Sequence, residues 1–244
     1  MGRYVIAGGS RGIGRAISEK LITEGHAVSI LSRQMQTPIA GAEHVVCDFA
    51  SDQPLPSEPF TEPLSGIVYC PGSLDLAPVH RVKADAIRSA FEINCVGAVR
   101  FLQAALPGLK AANERTASVV FLSTVAVARG LAMHTSIAAA KGALESVART
   151  LAAELAPKIR VNCVAPALTE TDMAARFFST EQKRDAMNAM YPLQRTGTAE
   201  DIAENFLSVS VRKKPENMVD NDTSKQDLNM FFPPSKEELK ELYT

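Results

Sequence analysis

Gly8, Gly12 and Gly14 stand in the run A-G-G-S-R-G-I-G, between a short apolar stretch and a helical pattern. Glycines so placed permit a tight turn and let backbone N–H groups approach a pyrophosphate. The positive end of the following helix then faces the anion. The spacing is GxxxGxG, not the GxGxxG of the older dinucleotide fingerprint, and alone it is a weak sign. The strand-like run before it and the amphipathic pattern after it turn it into a phosphate loop that also contains Ser10, Arg11 and Ile13. Arg33 follows the second apolar run in L-S-R. An Asp or Glu there would select a free ribose 2′-hydroxyl, whereas an arginine accommodates a 2′-phosphate. Arg11 and Arg33 with no acid beside them favour NADP over NAD, the bland reading being two solvated surface charges.

A second group of residues could move protons. I-A-A-A-K places Ile137 and Lys141 four apart, on one side of a helix. Thr124 ends an apolar run thirteen residues before Ile137, where its hydroxyl could polarise a carbonyl or simply bond to backbone. Asn94 sits inside a helical stretch that its propensity disfavours, which argues for a role beyond the helix. His134, three residues before Ile137, titrates near neutral pH. A lone histidine is more often structural or exposed. Ser136 at a helix start can serve as a cap.

The elements that must position these groups alternate along the chain. Apolar runs at 3–7, 27–31, 44–47, 66–70, 118–123 and 159–164 read as strands, and 13–24, 83–110 and 135–156 read as helices. Continuous apolar strands between helices predict an α/β fold, with one doubly wound Rossmann-like domain around a parallel sheet of about six or seven strands. The segments 34–42 and 51–65 are too short and Pro-rich for full crossover helices and read as compact loops. The domain is expected over 1–207. A polar C-terminal tail follows over 208–244, disordered for the most part, with a marginal helix started at Ser235 by Glu238.

Bulk numbers narrow the function. Hydrophobic residues make up 46% and charged residues 22%, ordinary for a globular chain. A net charge of -1 offers no bulk case for nucleic acid or an acidic membrane surface. No apolar run has membrane-spanning length. The start M-G-R-Y-V-I-A-G-G lacks a signal peptide's layout and fits myristoylation poorly. The four cysteines, Cys47, Cys70, Cys95 and Cys163, form no CxxC pair. They read as small buried hydrophobes of a reduced cytoplasmic protein with no metal site.

Taken in order, these motifs resemble the short-chain dehydrogenase/reductase family over about residues 3 to 207. Asp48 in C-D-F stands where that family has an acid beside the adenine. Y-C-P-G keeps only Gly72 of the family's N-N-A-G. Asn94 in E-I-N-C-V-G matches its structural and catalytic Asn, and Ser123-Thr124 falls at its catalytic Ser. Thr124 keeps the usual separation to the tyrosine position. Lys141 matches the Lys of Y-x-x-x-K. P-A-L-T-E-T-D-M resembles P-G-x-x-x-T, with Thr171 at the cofactor-contacting Thr. P-L-Q-R-T-G-T-A-E-D-I-A resembles P-L-x-R-x-G-x-P-E-D-I-A. Two departures matter. The tyrosine is Ile137, and spacing puts none of the four tyrosines in its place. The family's closing I-T-G-Q segment, with its seventh strand, is replaced by the unrelated tail.

The resemblance implies an NADP-dependent oxidoreductase acting on a small carbonyl or alcohol. Asn94, Thr124 and Lys141 would be its catalytic residues, with Lys141 also on the nicotinamide ribose. Alternatives are a catalytically impaired dinucleotide-binding protein, either redox sensor or inactive subunit, and an interaction partner that has lost the cofactor. A homo-oligomer is implied through helices 83–110 and 135–156. Met173, Phe177 and Phe178 read as an apolar lid, or as core.

Overall fold

The computed structural model describes residues 1–112 and 117–210. Six parallel strands, β1 (Arg3–Ala7), β2 (Ala27–Ser32), β3 (Ala42–Val46), β4 (Gly66–Tyr69), β5 (Ala117–Leu122) and β6 (Ile159–Val164), form one sheet in the order β3-β2-β1-β4-β5-β6. The helices are α1 (Gly12–Thr23), α2 (Ala84–Phe91), α3 (Gly97–Lys110), α4 (Ala126–Arg129), α5 (Thr135–Leu155), α6 (Glu181–Ala189) and α7 (Ala199–Ser210). This is the doubly wound α/β domain that the alternation predicts.

Strand residues point to alternate faces, and both faces are covered. Val5, Ala7, Val119 and Phe121 pack with Phe101 and Leu102 of α3 and Leu144 and Ala148 of α5. Tyr4, Ile6, Val68 and Val120 pack with Ile17 and Leu21 of α1 and Phe206 and Leu207 of α7. That double cover is why these strands read as unbroken apolar runs.

The sheet order reverses direction between β1 and β4. In open α/β sheets, ligands bind at such a switch point, beyond the carboxyl ends of the strands. The segment 51–65 holds one short 3₁₀ turn, Glu58–Phe60, and 34–42 holds no helix, as their lengths required.

The stretch 83–110 is not one α-helix. A π-turn, Glu92–Val96, separates α2 from α3 and places Asn94 at its middle. The last described helix runs to Ser210; the rest of the tail expected over 208–244, including the Ser235 helix start, lies outside the described residues.

Candidate active site

A cavity of about 730 Å³ opens at the switch point. It collects chain from beyond the ends of β1, β2, β4, β5 and β6. Gly8, Ser10, Arg11, Gly12, Ile13, Gly14, Arg33, Asp48, Gly72, Asn94, Thr124, Lys141 and Thr171 all line it. These residues therefore reach one space; Ser136 does not, and the N-cap of α5 is His134.

The glycine loop is built as its spacing requires. Gly8 (φ 71°) and Gly12 (φ 53°) occupy the left-handed region, which favours glycine. A Cβ on Gly14 would collide with the Gly8 carbonyl oxygen. Arg11 takes the N-cap position of α1 in extended conformation and makes no side-chain cap bond. The helix thus points its N-terminal N–H groups at the cavity with no side chain capping them, an arrangement that suits a pyrophosphate. Thr171 comes from the far side and packs 3.4 Å from where a Cβ on Gly12 would lie. The glycine loop and the segment after β6 are therefore in contact, which suits a dinucleotide held between them.

At the end of β2, Ser32 stands where an acid would select a 2′-hydroxyl. Its Oγ donates to Gln34 O at 3.0 Å and lies 2.9 Å from His44 Nε2. Arg11 and Arg33 are both exposed at the cavity, and neither forms an ion pair among the described residues. Asp48 is exposed at the same end; its Oδ1 accepts from Ala50 N at 3.0 Å.

The other end of the cavity holds the polar centre. In the π-turn, Asn94 is fully buried. Its Nδ2 donates to Ala90 O at 2.8 Å and to Ser73 Oγ at 3.3 Å, and Tyr69 Oη donates to Ile93 O at 2.6 Å. Widened turns of this type concentrate at functional sites. Asn94 Oδ1 is buried with no hydrogen-bond partner among the described residues. An orphaned buried acceptor is costly unless a ligand or water meets it. Both Asn94 Oδ1 and Lys141 Nζ lie close to the point where a Cβ on Gly72 would sit, at 2.9 and 3.7 Å. A glycine at 72 is what leaves that space open.

Lys141 is 6% exposed, and its Nζ donates to Leu122 O at 2.5 Å. Burial pushes its pKa down to about 8, opposed by the nearby thiols of Cys163, Cys70 and Cys95. Ile137, 5% exposed, lines the cavity with it. The two hydroxyls at the end of β5 divide the work. Ser123 Oγ donates to Glu145 Oε1 at 2.5 Å, so its proton is committed. Thr124 Oγ1 accepts from Ala126 N at 3.3 Å, which leaves its proton for a ligand.

The lid reading needs one correction. Met173 and Phe177 line the cavity, but Phe178 does not: its ring lies under the Arg184 guanidinium, 5.1 Å away. Arg184 is ion-paired to Glu170. Thr196 Oγ1 donates to Glu170 Oε1 at 3.1 Å, and Thr196 N donates to Asn188 Oδ1 at 3.0 Å. This network ties α6 to the chain on both sides of it. Met187, Met190 and Tyr191 also enter the cavity, and sequence spacing gave no sign of them. The cysteines are all free; Cys47 and Cys95 are buried, but Cys70 and Cys163 are only partly so, and Cys47 and Cys70 line the cavity. Among the described residues, no group of three His, Cys, Asp or Glu could hold a metal ion, and no helix is long and apolar enough to cross a membrane.

Comparison with known proteins gives concordant results. A family model described as enoyl-(acyl carrier protein) reductase matches residues 7–210. The chain is 30% identical over 216 residues to L-xylulose reductase of Bos taurus, covering 84% of this chain and 87% of that one. It is 28% identical over 214 residues to carbonyl reductase family member 4 of Xenopus laevis, covering 83% and 88%. A solved structure titled ElxO with NADP bound superposes with a TM-score of 0.76 at 19% identity, over 90% of this chain and 94% of that one.

Proposed function

Because the chain belongs to the short-chain dehydrogenase/reductase family and is an NAD(P)-dependent oxidoreductase, we propose that it uses NADP(H) to interconvert an apolar carbonyl and its alcohol. One observation carries the cofactor choice. Arg11 and Arg33 both border the cavity, exposed and without an ion pair among the described residues, and Ser32 stands in place of a selecting acid. Two such guanidiniums suit a 2′-phosphate, to which arginine forks bond well. The NADP-bound neighbour supports the same reading.

The bound dinucleotide supplies or takes the hydride. This chain's residues do the rest. Gly8, Ser10, Gly12, Ile13 and Gly14 would seat the pyrophosphate at the start of α1, Asp48 would meet the adenine, and Thr171 would close over the loop. Lys141 offers its ammonium to the nicotinamide ribose. Asn94 Oδ1, orphaned at the same spot, offers an acceptor to a hydroxyl or a bridging water. Thr124 donates to the substrate oxygen and polarises the carbonyl. Leu131, Ile137, Met173, Phe177, Met187 and Met190 make the substrate end apolar. That lining favours an aryl or alkyl ketone over a polyol. Relatives named for L-xylulose and for 3-oxoacyl-acyl carrier protein set the comparison substrates.

A second reading is a dinucleotide-binding protein that no longer turns over; Ile137, with nothing to donate, is the observation that favours it. We further infer a homo-oligomer through the helices of 83–110 and 135–156, and a cytoplasmic setting that suits four free thiols.

The test is a titration with NADPH and with NADH, followed by reduced-nicotinamide fluorescence. Saturable, NADPH-selective binding that Arg33→Ala weakens supports the reading. Absence of binding by either dinucleotide refutes it.

A further inference from the structure

We propose that His134 is the proton carrier of this active site: its Nε2 takes the substrate hydroxyl proton in alcohol oxidation and returns it in carbonyl reduction. The inference rests on the oxidoreductase reading above. It concerns the position that Ile137 leaves empty of chemistry.

The groups nearest Ile137 in the motif, and the cavity thiols, are committed or badly matched, and Tyr191 is left to the test below. Ser123 gives its proton to Glu145. Lys141 donates to Leu122 O and is 6% exposed. Burial pushes the Cys47 and Cys70 thiols up to about 11 and about 12, so neither exchanges a proton readily near neutrality. Thr124 can polarise a carbonyl, but an aliphatic hydroxyl does not ionise in this range. His134 lines the same cavity, one helical turn before Ile137 and two before Lys141.

Its hydrogen bonding assigns the reactive nitrogen. His134 Nδ1 lies 2.7 Å from Ala132 O. A carbonyl only accepts, so Nδ1 carries a proton in both the neutral and charged rings. The exchangeable site is therefore Nε2, which has no partner among the described residues. This is how an oriented catalytic imidazole is held: one nitrogen fixed by backbone, the other free. The turn that delivers the ring is also pinned. Ala77 N donates to Met133 O at 3.0 Å, His134 N donates to Leu131 O at 3.3 Å, and Met133 sits at φ 65°, uncommon for a residue with a side chain.

Burial lowers the His134 pKa, the Ala132 bond opposes that, and Arg176 from the turn after β6 lowers it further. Asp172 and Lys141 line the same cavity. On balance these causes favour the neutral ring, the form that accepts a proton. In oxidation the substrate O–H bond breaks, and its proton goes to Nε2. The O–H electron pair becomes the second bond of the carbonyl, and the carbinol hydrogen leaves as hydride to the oxidised nicotinamide dinucleotide. The partly exposed imidazolium then releases the proton to solvent.

The experiment compares wild type, His134→Ala and Tyr191→Phe with 1-phenylethanol, a 3-hydroxyacyl thioester and xylitol as probes, with NADP⁺. His134→Ala should lose about 10²–10⁴-fold in kcat/KM while its dinucleotide affinity stays at the wild-type value. Added imidazole should restore part of the rate. The wild-type rate should rise with pH through an inflexion below 6.5, and that inflexion should vanish in His134→Ala. NMR of the ring nitrogens, read without turnover, should show the Nδ1–H tautomer. Wild-type rates in His134→Ala, loss in Tyr191→Phe alone, or an Nε2–H tautomer would each overturn the proposal. So would dinucleotide binding without turnover of any probe, which leaves the cofactor site standing. Absence of binding instead removes the oxidoreductase reading beneath it.

Discussion

Lys141 is the clearest case where the fold holds a group against its own preference, and the cost can be measured. Its ammonium is buried, with one bond to Leu122 O and three thiols nearby. Burial takes its pKa from 10.5 to about 8. Each factor of ten in proton affinity is worth about 1.4 kcal/mol, so the charged form costs the free protein about 3 kcal/mol relative to the unfolded chain. The sign follows from linkage. The unfolded chain binds this proton more tightly, so the folded state gains stability as pH rises through 8 toward 10.5 and loses it as pH falls. Between pH 7 and pH 9, about 1 kcal/mol should return. Raw wild-type curves will not show it cleanly. Burial also raises the four cysteine pKa values, and those thiols favour unfolding as pH climbs above 9.0.

The comparison with Lys141→Met removes most of that background: the cysteines are common to both proteins, and burial is the largest cause of their shifts in each. Urea unfolding of each at pH 7 and pH 9, without dinucleotide, should show wild type gaining about 1 kcal/mol on the variant. An unchanged gap would refute the claim that the ammonium is desolvated. It would mean that water reaches Nζ in the free protein. The function depends on the same quantity. A lysine short of partners in the free chain has most to gain from a ribose diol, so the predicted strain and the predicted cofactor contact stand together.

Four further outcomes follow from the same geometry. Lys141→Met should weaken NADPH binding by roughly 10–150-fold, the value of one charge-assisted bond, measured by fluorescence titration. Arg33→Ala should raise the Kd for NADPH by a similar factor and leave that for NADH unchanged, since only the former carries a 2′-phosphate. Gly14→Ala should destabilise the fold by about 1–3 kcal/mol in urea, because its Cβ meets the Gly8 carbonyl within rigid backbone. Placed in the His134→Ala background, Ile137→Tyr should restore up to about 10²–10⁴-fold of lost turnover, as it sets a phenol one turn from Lys141.

What the sequence disclosed was local. The glycine loop could be read because its turn, its strand and its helix lie within about twenty residues, and steric need selects glycine there. The six strands could be read because both faces of the sheet are buried. The π-turn could not, since nothing in E-I-N-C-V differs from an α-helical run; it emerges only where Asn94 turns its amide onto Ala90 O. Thr171 over Gly12, and Met187, Met190 and Tyr191 in the cavity wall, are contacts across more than a hundred residues. Phe178 was misplaced for a local reason, its partner Arg184 lying six residues on. An apolar pair beside a lid does not say which ring faces in, and Arg184 claims one of them.

Ile137 sharpens the question of what such a site retains when its usual donor goes. The residues around it are not relaxed. Asn94 stays fully buried with one acceptor unmet, Lys141 stays charged at a cost, and Gly72 keeps the space between them clear. The first two are unfavourable for stability alone, and an apolar replacement of either would relieve it, while the glycine keeps room for both. Their presence together is understandable if a polar ligand meets them. A chain that had abandoned the dinucleotide would gain by losing the unmet amide and the buried ammonium. The structure thus separates two features that the motif joins: the centre formed by Asn94, Gly72 and Lys141 stays polar and open, while position 137 carries no proton donor.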